Sequence, residues 1–387
     1  MKLAVIGFGQ AGGKITDKFL DYDARTGSNI VRAAVAINTA SADLQGLRNI
    51  PRENRVLIGQ TRVKGHGVGA DNELGAEVAM EDINEIQNAI DGVPVHEIDA
   101  FLIIAGLGGG TGSGGLPVLA SHLKRIYAEP VYGLGILPAT DEGGIYTLNA
   151  ARSLRTCVEQ VDNLFLFDND AWRTSGESVK DGYETSNDEI VRRFGTLFSA
   201  GEVAPGGAVA ESVVDSSEII NTLAGGGIST IGYAVDPVEL PGRGLLSRFK
   251  GSGGPDETDT TNRITSLVRK AALGRLTVPC DISHTERALL VVAGPSAYLN
   301  RKGIERGRKW LEEETGSMEI RGGDYPLEEP NVAAVVLLSG IHNASRIKEL
   351  QRVAIEAQDN IGEIRRGSAS NLDALVTDDD NRLQPLF

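Results

Sequence analysis

Cysteine is almost absent from this chain: Cys157 and Cys280 are the only two in 387 residues, and they stand far apart. That excludes a disulfide framework and fits a reducing cytoplasm. No apolar run reaches the roughly 18 to 20 residues of a membrane helix. The opening MKLAVIGFG has no small-residue cleavage site and reads as a first strand, not a signal peptide. A basic stripe is missing too. With 38 Lys and Arg against 53 Asp and Glu, the net charge is −15, which argues against a nucleic-acid surface. Arg outnumbers Lys and acids dominate, the balance of a solvated acidic surface in a salt-rich cytoplasm or of an ordinary acidic soluble protein. His66, His96, His122, His284 and His342 are scattered and show no metal-ligand spacing, so no metal-ligating side chains are expected. Internal repeats are also lacking.

What the chain has is glycine, 48 in all, and seven of them fall in AGLGGGTGSGG, residues 105–115. The apolar strand 99–104 runs into this stretch and a helical segment from Leu116 to Ala128 follows. Glycine lets backbone N–H groups crowd a ligand, and a glycine loop feeding a helix start is an anion site. The expectation is a phosphate cradle.

The first part of the chain alternates strand and helix. Strands are expected at 2–6, 32–38, 55–58, 99–105, 130–137 and 163–167, with helices at 13–22 and 73–90 between them. Apolar strands alternating with helices predict a parallel sheet covered on both faces, with ligands at the carboxyl ends of its strands. Ser186-Asn187-Asp188-Glu189 reads as the start of a long helix, with Ile190, Val191, Phe194, Leu197 and Phe198 at helical spacing. Residues 236–261, rich in Gly, Pro, Asp and Thr, read as an exposed loop. Strands at 288–292 and 332–338 and a helix at 345–358 mark a second α/β half. The tail after Gly367 is polar and acidic.

Gly7-Phe8-Gly9-Gln10-Ala11-Gly12 matches the G-x-G-x-x-G dinucleotide fingerprint. That fold wants an acid at the end of the second strand, and Asn38-Thr39-Ala40 stands there instead. Neither glycine loop carries the Lys-Ser/Thr of a P-loop. Two glycine loops at neighbouring strand ends point to one polyphosphate held from both sides.

Gly108-Gly109-Gly110-Thr111-Gly112-Ser113-Gly114 resembles the signature loop of the tubulin/FtsZ superfamily of GTPases. The resemblance extends from residue 1 to about 360. Gly9-Gln10-Ala11-Gly12-Gly13 resembles the first nucleotide loop, in tubulin's GQAG form. Asn38-Thr39 resembles the second loop, and Gly67-Val68-Gly69-Ala70-Asp71 the third, which senses the γ-phosphate in that family. Pro138 with Glu142-Gly143 resembles the ribose loop, though Tyr146 stands where FtsZ has a phosphate-binding Arg. Asn169-Asp170 resembles the sixth loop, whose Asn reads the guanine edge. Tyr183 and Asn187 complete the base site by resemblance. An aromatic ring offers a stacking face, and a residue four later on a helix lies on the same side.

Asp215 and Glu218 in VVDSSE read by themselves as the acidic first turn of a helix. The stretch also resembles the superfamily's catalytic loop, NxDxxE in α-tubulin, with Val213 replacing Asn. The resemblance then implies that these carboxylates orient water in the nucleotide pocket of the next subunit, so hydrolysis requires assembly. It also implies GTP/GDP and Mg²⁺ as ligands, with Gln10 placed to orient a magnesium-bound water. The expected fold is a Rossmann-like parallel-sheet GTPase domain (1–182), a connecting helix and linker (183–209), a second α/β domain (210–360) and an acidic tail (361–387). The expected partners are guanine nucleotide and further copies of the chain, stacked head to tail. No nucleic acid and no membrane span are expected, and a membrane adaptor is left unassigned.

The GQAG loop, Val213 and Glu218, the 236–261 insertion and the ending NRLQPLF, unlike FtsZ's adaptor-binding tail, resemble CetZ, the tubulin-like family of haloarchaea associated with cell shape. FtsZ-type division, a nucleotide-dependent dehydrogenase and a non-hydrolysing GTP-binding protein remain alternatives at this point.

Overall fold

The computed structural model describes residues 1–173, 179–200, 202, 214–239 and 256–359. Val213, most of the 236–261 loop and the 361–387 tail lie outside the described residues. Ten strands form one sheet: β1 Leu3–Phe8, β2 Val31–Asn38, β3 Arg55–Leu57, β4 Ala100–Gly106, β5 Val131–Leu137, β6 Asn163–Asp168, β7 Ile228–Pro237, β8 Arg287–Gly294, β9 Glu319–Pro326 and β10 Asn331–Ser339. Their order is β3-β2-β1-β4-β5-β6-β7-β10-β8-β9. Only β10 is antiparallel to its neighbours. The two halves meet where Leu164 of β6 pairs with Ile228 of β7.

Helices cover both faces, so the central strands are apolar throughout. Alternation along each strand sorts the side chains into two cores. Leu3 and Val5, with Leu102 and Ile104, face the layer of Phe19, Phe194 and Phe198. Ala4, Ile6 and Phe8, with Phe101 and Ile103, face Leu116 and Leu119. The Phe165 and Phe194 rings meet edge to face at 5.0 Å, fastening the central helix Val179–Ser199 to β6.

Several helix boundaries differ from the sequence expectation. The first helix spans Gly9–Thr26 and the signature helix Thr111–Ile126, so both begin inside their glycine loops. Glycine is needed there for close packing. A Cβ on Gly110 would lie 2.5 Å from Val68 Cγ2, and one on Gly114 2.3 Å from the Asn72 carbonyl oxygen. Of the seven signature-region glycines, Gly109 alone has open space around such an atom. The helix expected over 73–90 is broken at Asp82 into Asn72–Glu81 and Ile83–Ile90. The Asp82 carboxylate accepts from Gly59 N at 2.6 Å, drawing the chain out of the helical path. Ser186 to Glu189 lie in the interior of the central helix, not at its start. Their acids act laterally: Asp188 pairs with Lys18, and Glu189 with Arg192 and Arg193. The ends of the expected 236–261 loop belong to β7 and to the helix Glu257–Leu273.

The central helix fixes the polarity of the molecule. Tyr183 and Asn187 lie near the carboxyl ends of the parallel strands. Further down, Phe198 accepts from the Met1 nitrogen at 2.6 Å, beside the amino end of β1. Its 21 residues span about 31 Å at 1.5 Å per residue.

Candidate functional site

A cavity of about 420 Å³ opens at the carboxyl ends of the parallel strands. Helix Gly9–Thr26 starts there directly after β1, and helix Thr111–Ile126 directly after β4. Neither N-cap residue, Phe8 or Gly110, makes a side-chain cap, and neither first turn holds an acid. Their unpaired N–H groups and the positive ends of both helix dipoles therefore converge on one cavity. Gly9, Gln10, Ala11, Gly108, Gly109, Gly110, Thr111 and Gly112 line it. The two loops touch: Gly9 has φ +74°, and a Cβ there would lie 2.9 Å from Gly112 N. Such a pair of helix starts suits an anion with several phosphate groups.

Cross-links hold the loops in place. Thr39 Oγ1 meets Thr111 Oγ1 at 2.7 Å. The Asp43 carboxylate accepts from Gln10 Nε2 at 2.9 Å and Asn38 Nδ2 at 3.1 Å. Asn149 Nδ2 donates to the Ala70 carbonyl at 2.6 Å and the Gly108 carbonyl at 3.1 Å. Ala70 needs that clamp, because its φ of +62° is costly for a residue with a Cβ.

Asn169, Tyr183 and Asn187 line the same cavity with Asn38, Gly69, Ala70 and Glu142. Burial pushes the Tyr183 hydroxyl up to a pKa of about 12, aided by the Glu142 charge and a hydrogen bond to that carboxylate. Glu142 Oε1 in turn accepts from Ala139 N at 2.8 Å, and Asp170 accepts from Thr140 N at 2.9 Å. The loop 138–143 is thus held by carboxylates at two points.

Four expected contacts stand apart from the cavity wall. Gly12 serves packing, since a Cβ there would lie 2.0 Å from the Ile104 carbonyl oxygen. Gly13 faces Leu47. Asp71 caps the next helix, its carboxylate accepting from Leu74 N at 3.0 Å. Ser113 turns back on its own helix, donating to the Gly109 and Gly110 carbonyls. Conversely, Lys14, Asp43 and His66 line the cavity without having been singled out in the sequence. Only Lys14 carried a signal, one helical turn beyond Gln10.

Arg346 was not legible at all. From helix 345–359 of the second half it bonds Asp168 Oδ1 at 3.1 Å and the Pro138 carbonyl at 2.8 Å. The Arg346 and Asp168 side chains are nearly fully buried, 7% and 3% exposed. Burial raises the Asp168 pKa and Arg346 opposes that shift. Removing one partner of a buried pair strands the other charge. Arg346→Met should therefore cost about 3–5 kcal/mol in chemical denaturation, and adding Asp168→Asn should recover part of the loss.

Asp215 and Glu218 lie at the opposite end. The helix Ser216–Leu223 leads to the start of β7, which pairs in parallel with the start of β6. Asp215 is its N-cap, accepting from Glu218 N at 3.1 Å and Ser217 Oγ at 2.5 Å, and these bonds lower its pKa. For Glu218, burial first and then the Asp215 charge raise the pKa, against the pull of Arg321 near the start of β9. Glu218 Oε2 is buried without a hydrogen-bond partner. Neither carboxylate lines the glycine-loop cavity.

Comparison with known proteins places this architecture. The model of the tubulin/FtsZ family GTPase domain matches residues 2–176, and that of the tubulin-like CetZ C-terminal domain matches 176–356. The chain is 71% identical over 374 residues to tubulin-like protein CetZ1 of Haloferax volcanii, covering 95% of each. It is 64% identical over 389 residues to CetZ3 of the same organism, covering 100% of each. The solved structure of CetZ1 from Haloferax volcanii, a GDP-bound monomer, is similar with TM-score 0.83 at 67% identity, over 92% of this chain and 100% of that one. CetZ2 from the same organism, a GTPγS-bound protofilament, gives TM-score 0.84 at 46% identity, over 94% and 100%. An FtsZ dimer from M. jannaschii shares the fold, with TM-score 0.68 at 23% identity over 88% of each chain. Fold and site thus define the tubulin/FtsZ class of GTPase-domain proteins. Within that class the chain belongs to the CetZ family of tubulin-like proteins, which displaces the dehydrogenase reading.

Proposed function

We propose that this chain is a cytoskeletal GTPase that binds GTP in the glycine-loop cavity, polymerises head to tail and hydrolyses GTP at the junction between subunits. The observation that carries this reading is the separation of parts. The polyphosphate cradle sits at one end of the central helix and the Asp215–Glu218 pair at the other. One molecule cannot bring them together, whereas translation along the helix by one subunit can. Glu218 is only half-buried as a residue, and its carboxylate, whose Oε2 is tucked in without a hydrogen-bond partner, would turn outward to the water that attacks the γ-phosphate. Asp215 fixes the turn that presents it, and the helix starts at Gly9 and Thr111 stabilise phosphate charge.

Magnesium would neutralise charge on the phosphates. The described residues hold no group of three or more His, Cys, Asp or Glu that could grip an ion. Phosphate oxygens and waters would then be its main ligands, with Asp43 and its Gln10 bond beside them. We assign residues 1–182 to nucleotide binding, 183–209 to the connection, 210–360 to activation of the neighbour and 361–387 to a tail. No helix among the described residues is long and apolar enough to cross a membrane. We place its role in the cytoplasm, in archaeal cell shape rather than division, a reading that CetZ family membership supports. Titration with GTP against NAD, followed by phosphate release over a protein concentration series, tests the biochemical reading. NAD preference or concentration-independent turnover would overturn it.

The base site carries its own expectation. Tyr183→Ala should weaken GTP binding by roughly 1–3 kcal/mol, the range for base–aromatic stacking. Tyr183→Phe keeps the ring and loses only the bond to Glu142, so its effect should be small. Calorimetric titration separates these cases, and a Phe variant as damaged as the Ala variant would shift the role to the hydroxyl.

A further inference from the structure

A groove of about 510 Å³ lies between the helices Asn72–Glu81, Thr111–Ile126 and Gly144–Gln160, on the face of the sheet away from the central helix. Pro117 sits inside the middle helix and has no N–H to give, which frees the Ser113 carbonyl. Ser153 Oγ donates to that oxygen at 2.7 Å, so the floor of the groove is already satisfied. Its walls are apolar, from Ala76, Met80, Pro117 and Val118, and Met80 is 55% exposed. Arg125 and Arg152, both exposed, complete the lining. Arg152 reaches Glu73 at 3.3 Å, whereas Arg125 makes no ion pair or side-chain hydrogen bond among the described residues. Apolar walls beside an unpaired cation suit a segment that joins apolar side chains to acids.

The chain carries such a segment in LDALVTDDD, residues 372–380. The last described residue before it, Asp359, ends helix 345–359. That end lies beside the groove's third helix, since a Cβ on Gly144 would be 3.4 Å from Ala357 Cβ. Arg152 follows about 12 Å further along the same helix, at 1.5 Å per residue. Residues 360–371 can span up to about 40 Å, more than this gap requires. Arg125 is near the far end of its own helix, so entry from the Gly144 side brings the apolar residues in first and the acids to Arg125. With a net charge of −15, most of the protein's surface repels an acidic segment, and this groove is an exception. Covalent attachment also raises the segment's local concentration, an advantage over any free partner of the same chemistry.

We infer that the groove is the docking site of this chain's own segment 372–380, with Leu372, Leu375 and Val376 on the apolar walls and the acids at 378–380 facing Arg125. The test uses the full chain with GDP, below its assembly concentration, carrying a photoreactive benzoylphenylalanine in place of Leu375 or, in a second series, of Leu372. Illumination should give a product of monomer mass whose cross-linked peptides contain Met80 or Val118. Arg125→Glu should lower its yield about fivefold, the upper range for one exposed ion pair, with the thermal melt unchanged. Adding Asp378→Lys, Asp379→Lys and Asp380→Lys to that variant should restore the yield. A groove product of dimer mass would make a second copy the occupant and overturn the inference. So would products mapped to other surfaces, no product from either position, or an Arg125→Glu yield equal to that of the wild type.

Discussion

Glu218→Ala should bind GTP and assemble, yet lose nearly all turnover. A positioned carboxylate acting on the attacking water contributes about 10²- to 10⁴-fold, so the residual rate should fall in that range. Filaments of the variant should persist, because the γ-phosphate is not removed. The structure makes Glu218 a cleaner test than Asp215. Asp215 caps its helix, and losing a cap costs about 1 kcal/mol of stability regardless of chemistry. Glu218 caps nothing, and its Oε2 has no partner to lose. Its raised pKa carries a definite sign. A carboxyl with a folded pKa above its unfolded value favours the fold below the unfolded pKa, and that contribution is lost as pH rises through the folded pKa. At neutral pH ionised Glu218 therefore works against folding, and Glu218→Ala should not lower Tm. The same shift means that wild-type turnover should fall with acid earlier than an ordinary glutamate would dictate. Phosphate release for both proteins over a concentration series decides the matter. Near-normal turnover by Glu218→Ala, or wild-type turnover independent of concentration, would sink the shared site.

Gly109→Leu should abolish GTP binding while the protein stays folded. Gly109 is the one signature-region glycine with nothing near its absent side chain, and it lines the cavity. An added Cβ therefore meets no protein atom within 4 Å, and the rest of the side chain would take up cavity space where the phosphates would lie. The loss should be at least about 100-fold in affinity, near 3 kcal/mol, with Tm within a few degrees of wild type. Gly110→Leu provides the contrast. A Cβ at Gly110 meets Val68 Cγ2 at 2.5 Å and Asp71 N at 2.8 Å, so this variant should lose stability as well as ligand. Thermal melts paired with nucleotide titration separate the two. A folded Gly109→Leu protein with unchanged GTP affinity would refute the cradle.

The alternation of apolar strands and helices was legible in the sequence because a strand covered on both faces must be apolar throughout, as in residues 101–105. The glycine loops were legible because few other uses demand so many glycines at a strand end. Helix boundaries were less so. The acids at 188 and 189 look like a helix start, but whether an acid caps or pairs sideways depends on Lys18, some 170 residues away in the chain. The acid at position 71 presents the reverse case, a motif residue whose carboxylate the local backbone has already claimed as a cap.

By itself the sequence determined the sheet's apolar strands, the two glycine loops at their ends and the type of ligand those loops suit. These follow from local chemistry: side-chain period, backbone freedom and unpaired helix N–H groups. Tertiary structure alone decided which glycines line the cavity and which admit a neighbouring helix, because that depends on what lies within a few ångströms of a missing Cβ. It also brought Arg346 from the far end of the chain to the ends of β5 and β6. Above all, it placed Asp215 and Glu218 at the end of the molecule away from the cradle. Distance along the chain says nothing of which end of a sheet a residue occupies; the strand directions and a 21-residue helix running from one end to the other do.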